Sequence, residues 1–442
     1  MNIVIIGGGP AGMLAAIAAS KSIQNSFKGT NIVPEVLLIE KNEKLGKKLF
    51  ITGKGRCNLT NNCEKEEFFK NIVTNPKFLY SAYSEFTNND LMKLVEDNGC
   101  QLKTERGNRV FPVSDKSYDV LDALKKALKD NKVIIKLNTE VIDLKCKKKS
   151  ILVDDSISDK EPENIFEITT NKNEKIVADK VIVATGGLSY PSTGATGDGY
   201  RFAKKFDISV VNQSPSLVPF DVKELDECVS MQGLTLKNIA IKIIKNNKII
   251  YKDFGELLFT HFGVSGPVII SASSYIDVTN DDKIIILSID LKPALDEDKL
   301  DDRLIRDFES NKNKKLKNVI EGLLPSSMVD VFLDRLNALN SKINTCDLRI
   351  SEVSKEVRNS MISLLKDFRF TITSKRGFDE AIITRGGIDV KEINPKTMES
   401  KSIKGLYFAG EVLDIDALTG GFNIQIAATT GYVAGAKAAN DI

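Results

Sequence analysis

Three glycines, Gly7, Gly9 and Gly12, fall at the spacing G-x-G-x-x-G, and an acid, Glu40, ends the next apolar run. Together they can grip a dinucleotide. Gly7 permits a tight turn, Gly9 lets backbone amides approach a pyrophosphate, and Gly12 lets a helix pack closely on a strand. Pro10 and Ala11 open that helix, where free N–H groups and the dipole favour negative charge. Glu40, followed by Lys41, offers an acceptor to a ribose with both hydroxyls free. That argues for FAD or NAD and against a 2′-phosphate. Two other side chains can carry proton or sulfur chemistry. His261 is the only histidine and can give or take a proton near neutrality. Cys57 has no partner at C-x-x-C spacing, which disfavours a dithiol mechanism.

The elements around the glycines are those such a site needs. Asn2–Ile6 reads as a short apolar strand, an alanine-rich helical run follows, and Val36–Ile39 is a second strand ending on Glu40. A polar stretch, Lys21–Pro34, reads as a surface insertion that lengthens the usual ~20-residue interval to the acid. A Gly- and Lys-rich loop, Lys44–Asn62, comes next, then helical patterns around Lys77–Glu85 and Asp90–Gly99. Gln101–Val113 predicts a hairpin turning at Gly107–Asn108, and Ser117–Lys129 an amphipathic helix. Val181–Gly187 is an apolar strand running into glycines, and Gly405–Glu411 repeats that design before a small-residue helix over Ile424–Asn440. Two strand-to-glycine ends roughly two hundred residues apart imply one dinucleotide domain interrupted by an insertion.

Within the insertion, Ser209–Leu291 is strand-rich, with a hairpin over Ile241–Tyr251 turning at Asn246–Asn247. Lys299–Leu339 is helical and charged, Pro325 being placed to open a helix, and a further helix is expected over Ser351–Asp367. The expected architecture is α/β: a Rossmann-like FAD-binding domain over 1–190 and 391–442, a β-barrel over 191–291 and 346–390, and a small helical insert over 292–345.

Lys and Arg number 62 against 60 Asp and Glu, a formal charge of +2, so no chain-wide footprint for nucleic acid appears. The local run Lys145–Lys149 reads as a solvated strand end. Six scattered cysteines show no zinc spacing, so no metal is expected and a reduced cytoplasmic chain is the default. The first residues lack the basic flank of a signal peptide, and no apolar run reaches the ~18 residues of a membrane span. Nothing in the composition sets an oligomeric state.

With these motifs in order, the chain resembles bacterial flavoproteins of the HI0933-like type, also described as bile-acid-reductase-like or aminoacetone-oxidase-like FAD proteins. The resemblance rests on Gly7–Gly12, Gly46–Asn61, Gly107–Pro112, Ala184–Pro191 with Thr196–Gly199, Thr260–Pro267, and Ala409–Glu411 with Gly420–Gln425. It covers nearly the whole chain and implies FAD as cofactor. It also implies contacts to the cofactor from Val141, Ala184, Thr185, Gly186, Gly410, Glu411, Gly420, Gly421, Asn423 and Ile424. In related folds the loop carrying Gly53, Gly55, Arg56, Cys57 and Asn58 covers the pyrophosphate and reaches the isoalloxazine. The two glycines would allow close backbone approach, and Arg56 or Lys48 could pair with phosphate. The final helix, opening after Gly421, would stabilise negative charge on the reduced flavin.

His261, Cys57 and Tyr190 are the candidates for catalysis. His261 either faces the flavin or substrate as a proton donor or is structural. Cys57 either acts as a thiolate beside the flavin or fills space there as a neutral thiol. Tyr190, with Ser189, follows the flavin-side glycines and is a candidate substrate contact. The expected activity is hydride transfer through flavin N5 to or from a small organic substrate, with NAD(P)H as a transient donor. Alternatives are an oxidase, an FAD-binding redox sensor without turnover, and an RNA-modifying flavoprotein, the last disfavoured by the near-neutral charge.

Overall fold

In the computed structural model, residues 2–26, 34–148, 164–276, 278, 284–340 and 347–440 are described. The strand Asn2–Ile6 is buried along most of its length, as a continuous apolar run must be when both faces of a parallel sheet are covered. Its neighbours are Glu35–Ile39 on one side and Lys180–Val183 on the other, both parallel to it. Leu406–Phe408 and Ile134–Lys136 complete a five-stranded sheet, again in parallel. The three strands that matter therefore end at one edge, where they run into Gly7, Gly186 and Gly410. This is the edge at which open parallel sheets bind ligands.

The helices Pro10–Ser26 and Phe422–Asn440 lie against each other without a polar face between them. A methyl group at Gly431 or Gly435 would stand 2.1 Å from the carbonyl oxygen of Ala11 or 2.0 Å from that of Ala15. Small residues on both helices let the backbones touch. The first and last elements of the sequence are thus joined in one core, as the repeated strand-to-glycine design implies.

The chain divides into two compact units, Met1–Pro215 with Ala381–Ile442, and Ser216–Glu380. Residues 191–215 and 381–390, expected with the barrel, belong to the nucleotide unit. The helix Asp198–Lys205 buries Tyr200, Phe202 and Ala203 in that unit's core, and Val210–Ser216 pairs with Ile383–Ile388.

In the second unit six strands close a barrel: Phe220–Val222, Gly263–Ser265, Lys248–Thr260, Thr235–Lys245, Ile285–Asp290 and Phe368–Lys375. Its long hairpin turns at Asn246 and Asn247, both left-handed, as a two-residue turn between twisted strands requires. The helices Glu297–Glu309, Ser326–Leu339 and Lys355–Lys366 share one apolar core with the barrel, Phe332 facing Phe368. The helical insert accordingly has no separate core. Lys149, at the end of the expected solvated run, and Cys346 lie outside the described residues. Among the described residues no helix is long and apolar enough to cross a membrane.

Candidate cofactor site

The first glycine turn shows which glycine serves the chain and which serves a ligand. A Cβ on Gly7, whose φ is +107°, would lie 2.4 Å from the Ala184 carbonyl oxygen, and one on Gly12 would lie 1.8 Å from that of Gly7. Both positions are closed by the protein's own backbone. Gly9 is different: a Cβ there meets nothing within 4 Å. The space beside it, at the mouth of a 17-residue helix, fits a pyrophosphate.

Glu40 is buried at the end of its strand. One carboxylate oxygen accepts from the Gly8 N–H at 2.7 Å, and the other from the Asn42 backbone and side-chain amides at 2.8 and 2.7 Å. The carboxylate is held still beside the glycine turn. Lys41 turns away from it, donating to Thr196 Oγ1 at 2.6 Å and Asp198 Oδ2 at 2.8 Å.

The loop after Glu40 folds back to the same edge. Gly53 and Gly55 are left-handed there, with φ of +57° and +84°. Lys48 Nζ donates to Glu411 Oε2 and Ser189 Oγ, each at 2.6 Å. Ser189 in turn donates to the other Glu411 oxygen, which also accepts from the Thr384 N–H at 2.9 Å. Thr384 Oγ1 accepts from the backbone amides of Leu188 and Ser189 at 2.8 and 3.0 Å. Four segments are pinned at one carboxylate.

The Arg56 guanidinium, one of the two expected phosphate partners, pairs with Glu105 and Asp115 and lies 4.1 Å from the Phe111 ring. Lys48, likewise, is engaged by Glu411. Cys57 is fully buried, and burial pushes its thiol up to about 12, so it stays protonated at neutral pH. Of the two readings, burial supports the neutral filler.

Beyond the loop, Asn58 to Asn61 are stitched to the glycines that open the last helix. The Asn58 amide, turned so that both ends are satisfied, donates to Thr60 O at 3.2 Å and accepts from Gly421 N–H at 3.1 Å. Asn61 Nδ2 donates to Gly420 O at 3.1 Å, and the Thr60 hydroxyl to Gln425 Oε1 at 2.7 Å. Asn423 is occupied with the Ala417 backbone, and Ile424 is half-buried. Thr185 Oγ1 accepts from Gly199 N–H at 3.1 Å, while Ala184 is buried against Gly7. Val141 is buried in a separate sheet, opposite Thr170.

Tyr190 is half-buried with a left-handed backbone, φ +51°, immediately after the buried Ser189. His261 lies in the barrel unit, in the turn between Lys248–Thr260 and Gly263–Ser265; its imidazole is exposed, 5.0 Å from the Phe262 ring. The sequence reading missed Thr384 and Gln425. Gln425 closes the stretch Gly420–Gln425 and was within reach. Thr384, second in the strand Ile383–Ile388, carries no local signal, its partners lying 195 and 196 residues away.

Comparison with known proteins places this geometry. The HI0933-like protein Rossmann domain matches residues 1–437, and the chain belongs to that family. It therefore carries a Rossmann-type FAD-binding domain of the oxidoreductase class. The chain is 30% identical to a ribosomal RNA dihydrouridine synthase of Escherichia coli, over 97% of this chain and 96% of that one. It is 28% identical to the protein of the same name from Haemophilus influenzae, over 97% and 96%. It is also 28% identical to a 3-dehydro-bile acid delta(4,6)-reductase of Clostridium scindens, over 99% of both.

Proposed function

We propose that this protein is an FAD-dependent reductase that saturates a carbon–carbon double bond conjugated to a carbonyl, with NADH or NADPH as the electron source. The cofactor reading is carried by one observation: Gly9 alone among the fingerprint glycines is left clear by the protein. The reaction class is supported by what the relatives' names share. A dihydrouridine synthase and a delta(4,6)-reductase each add two hydrogens across an unsaturated carbon pair. Different substrates, one bond type.

Bound FAD supplies a hydride to such an acceptor. The chain's own residues bind and orient: Glu40 takes the ribose, the first helix the pyrophosphate, and Glu411, fixed by Lys48, Ser189 and Thr384, the sugar-like chain between phosphate and ring. The opening turn of Phe422–Asn440 favours negative charge at the pyrimidine end. Overall, the substrate gains a hydride and a proton, and the nicotinamide donor loses two electrons and one proton.

The test is anaerobic mixing of the FAD-loaded protein with NADH and NADPH, followed by a steroid-type enone or a uridine-containing RNA. Bleaching of the long-wavelength flavin band and its return on adding either substrate is the expected result. No bleaching with either nucleotide overturns the donor, and no return with any conjugated alkene overturns the reaction class. The RNA arm is favoured by the two ribosomal RNA relatives.

A further inference from the structure

Between the loop that follows Glu40 and the start of the helix Ser117–Asp130 lies an open cleft of about 620 Å³. Of the cofactor residues named above, Gly55 alone borders it. Its walls include Phe50 and Tyr118, whose ring centroids are 4.7 Å apart at 59°. Tyr118 is 59% exposed, so much of its ring is reachable from solvent. Lys44 and Lys116 are exposed on the same walls, Lys44 Nζ standing 4.8 Å from the Phe50 ring centroid.

The charge around the cleft departs from that of the chain. Leaving out Lys41 and Lys48, which are paired with Asp198 and Glu411, residues 41–56 and 103–118 contain eight Lys and Arg against three Asp and Glu, although the whole protein balances to +2. The two segments are clamped together: Arg56 and Lys103 both bind Asp115, and Arg56 and Arg109 both lie over the Phe111 ring. Asp115 is the one acid in the cleft wall. Its cationic partners hold its carboxyl below the ordinary range, so its charge is balanced within the wall. The surrounding excess stays positive.

We propose that this cleft binds a nucleotide unit, the base against Phe50 and Tyr118 and the phosphates against Lys44 and Lys116. Aromatic platforms beside a cationic track are how proteins hold single-stranded nucleic acid without reading sequence. The basic excess running past the cleft to Arg106 and Arg109 suits a strand of RNA better than one free dinucleotide. The inference rests on the proposed function only for the source of the nucleotide.

The test uses full-length, FAD-loaded protein and a labelled, short, uridine-rich RNA, with AMP and NADPH as separate ligands, all read by binding and not by turnover. Tyr118→Ala should weaken RNA binding about tenfold, the loss of one stacked base. Lys44→Gln with Lys116→Gln should lower the slope of log affinity against log salt by about 1.4. Lys299→Gln, on an exposed helix of the barrel unit, should change neither. An unaltered flavin spectrum and melting temperature in every variant separates these effects from misfolding. If AMP and NADPH bind and are lost in the cleft variants while RNA does not bind, the cleft stands and free nucleotide is its ligand. RNA and nucleotides that bind wild type and cleft variants alike, or bind none of them, overturn the proposal. Failure to reduce any alkene would sink the reductase reading and leave these affinities untouched.

Discussion

Lys48 and Glu411, 363 positions apart in the chain, meet at 2.6 Å. The lysine comes from the loop that follows the ribose acid, and the glutamate from just beyond the last strand of the sheet. Both side chains are largely out of water, at 22% and 12% exposure. Their union holds the loop onto the edge where the glycine turns converge.

Removing one partner should therefore loosen the site and the fold together. Lys48→Met leaves the Glu411 carboxylate with Ser189 and the Thr384 amide alone, in a setting where a deserted charge costs about 2 kcal/mol. Urea unfolding should show that loss, and dialysed protein should release flavin faster. A variant with wild-type midpoint and wild-type flavin content would mean the pair contributes nothing.

The fingerprint glycines should part company under the same substitution. Gly9→Ala should fold with near-native stability, since its methyl meets no protein atom, yet lose FAD affinity by about tenfold or more as the methyl enters the ligand's space. Gly12→Ala should give little folded protein, because its methyl would sit 1.8 Å from a backbone oxygen that cannot move aside. Flavin titration of the first and expression of the second check this. Equal behaviour of the two would remove the distinction.

Cys57 gives a pH signature. Burial raises its thiol from the ordinary 9 to about 12, so the folded protein keeps a proton that the unfolded chain releases earlier. The resulting stabilisation is complete below pH 9 and is lost as pH rises toward 12. Urea midpoints measured across that window should fall more steeply for wild type than for Cys57→Ala. Parallel slopes would show that the thiol is not protected in solution.

The helix pair is testable by size alone. Gly431→Ala and Gly435→Ala each push a methyl into a carbonyl of the first helix and should cost about 1–3 kcal/mol apiece, read by thermal or urea unfolding. Alanine is the better helix former, so an isolated helix would gain from the change. A stabilised variant would contradict the close packing.

Much of this was readable before any coordinates. The two strand-to-glycine ends announced an interrupted domain because a phosphate-binding turn demands residues that little else demands. The hairpins at Gly107–Asn108 and Asn246–Asn247 were equally plain, since left-handed turns restrict residue choice. Boundaries were less legible. Residues 191–215 and 381–390 went to the wrong side in the reading because the pairing of Val210–Ser216 with Ile383–Ile388 is long-range and leaves no local pattern. Charged side chains were hardest: Arg56 and Lys48 looked like phosphate ligands, but their partners Glu105, Asp115 and Glu411 come from remote segments. Thr384 is the same lesson in a neutral residue.

The seating of Phe422–Asn440 on Pro10–Ser26 has a consequence for how the protein is made. A translating ribosome releases the first helix hundreds of residues before its mate, and the Ser216–Glu380 unit, continuous in sequence, is free to fold during the wait. A flavin site that needs both helices must then wait until Phe422–Asn440 has been made. Refolding from denaturant should likewise show a slow closing phase, set by the time two helices so far apart in sequence need to find each other.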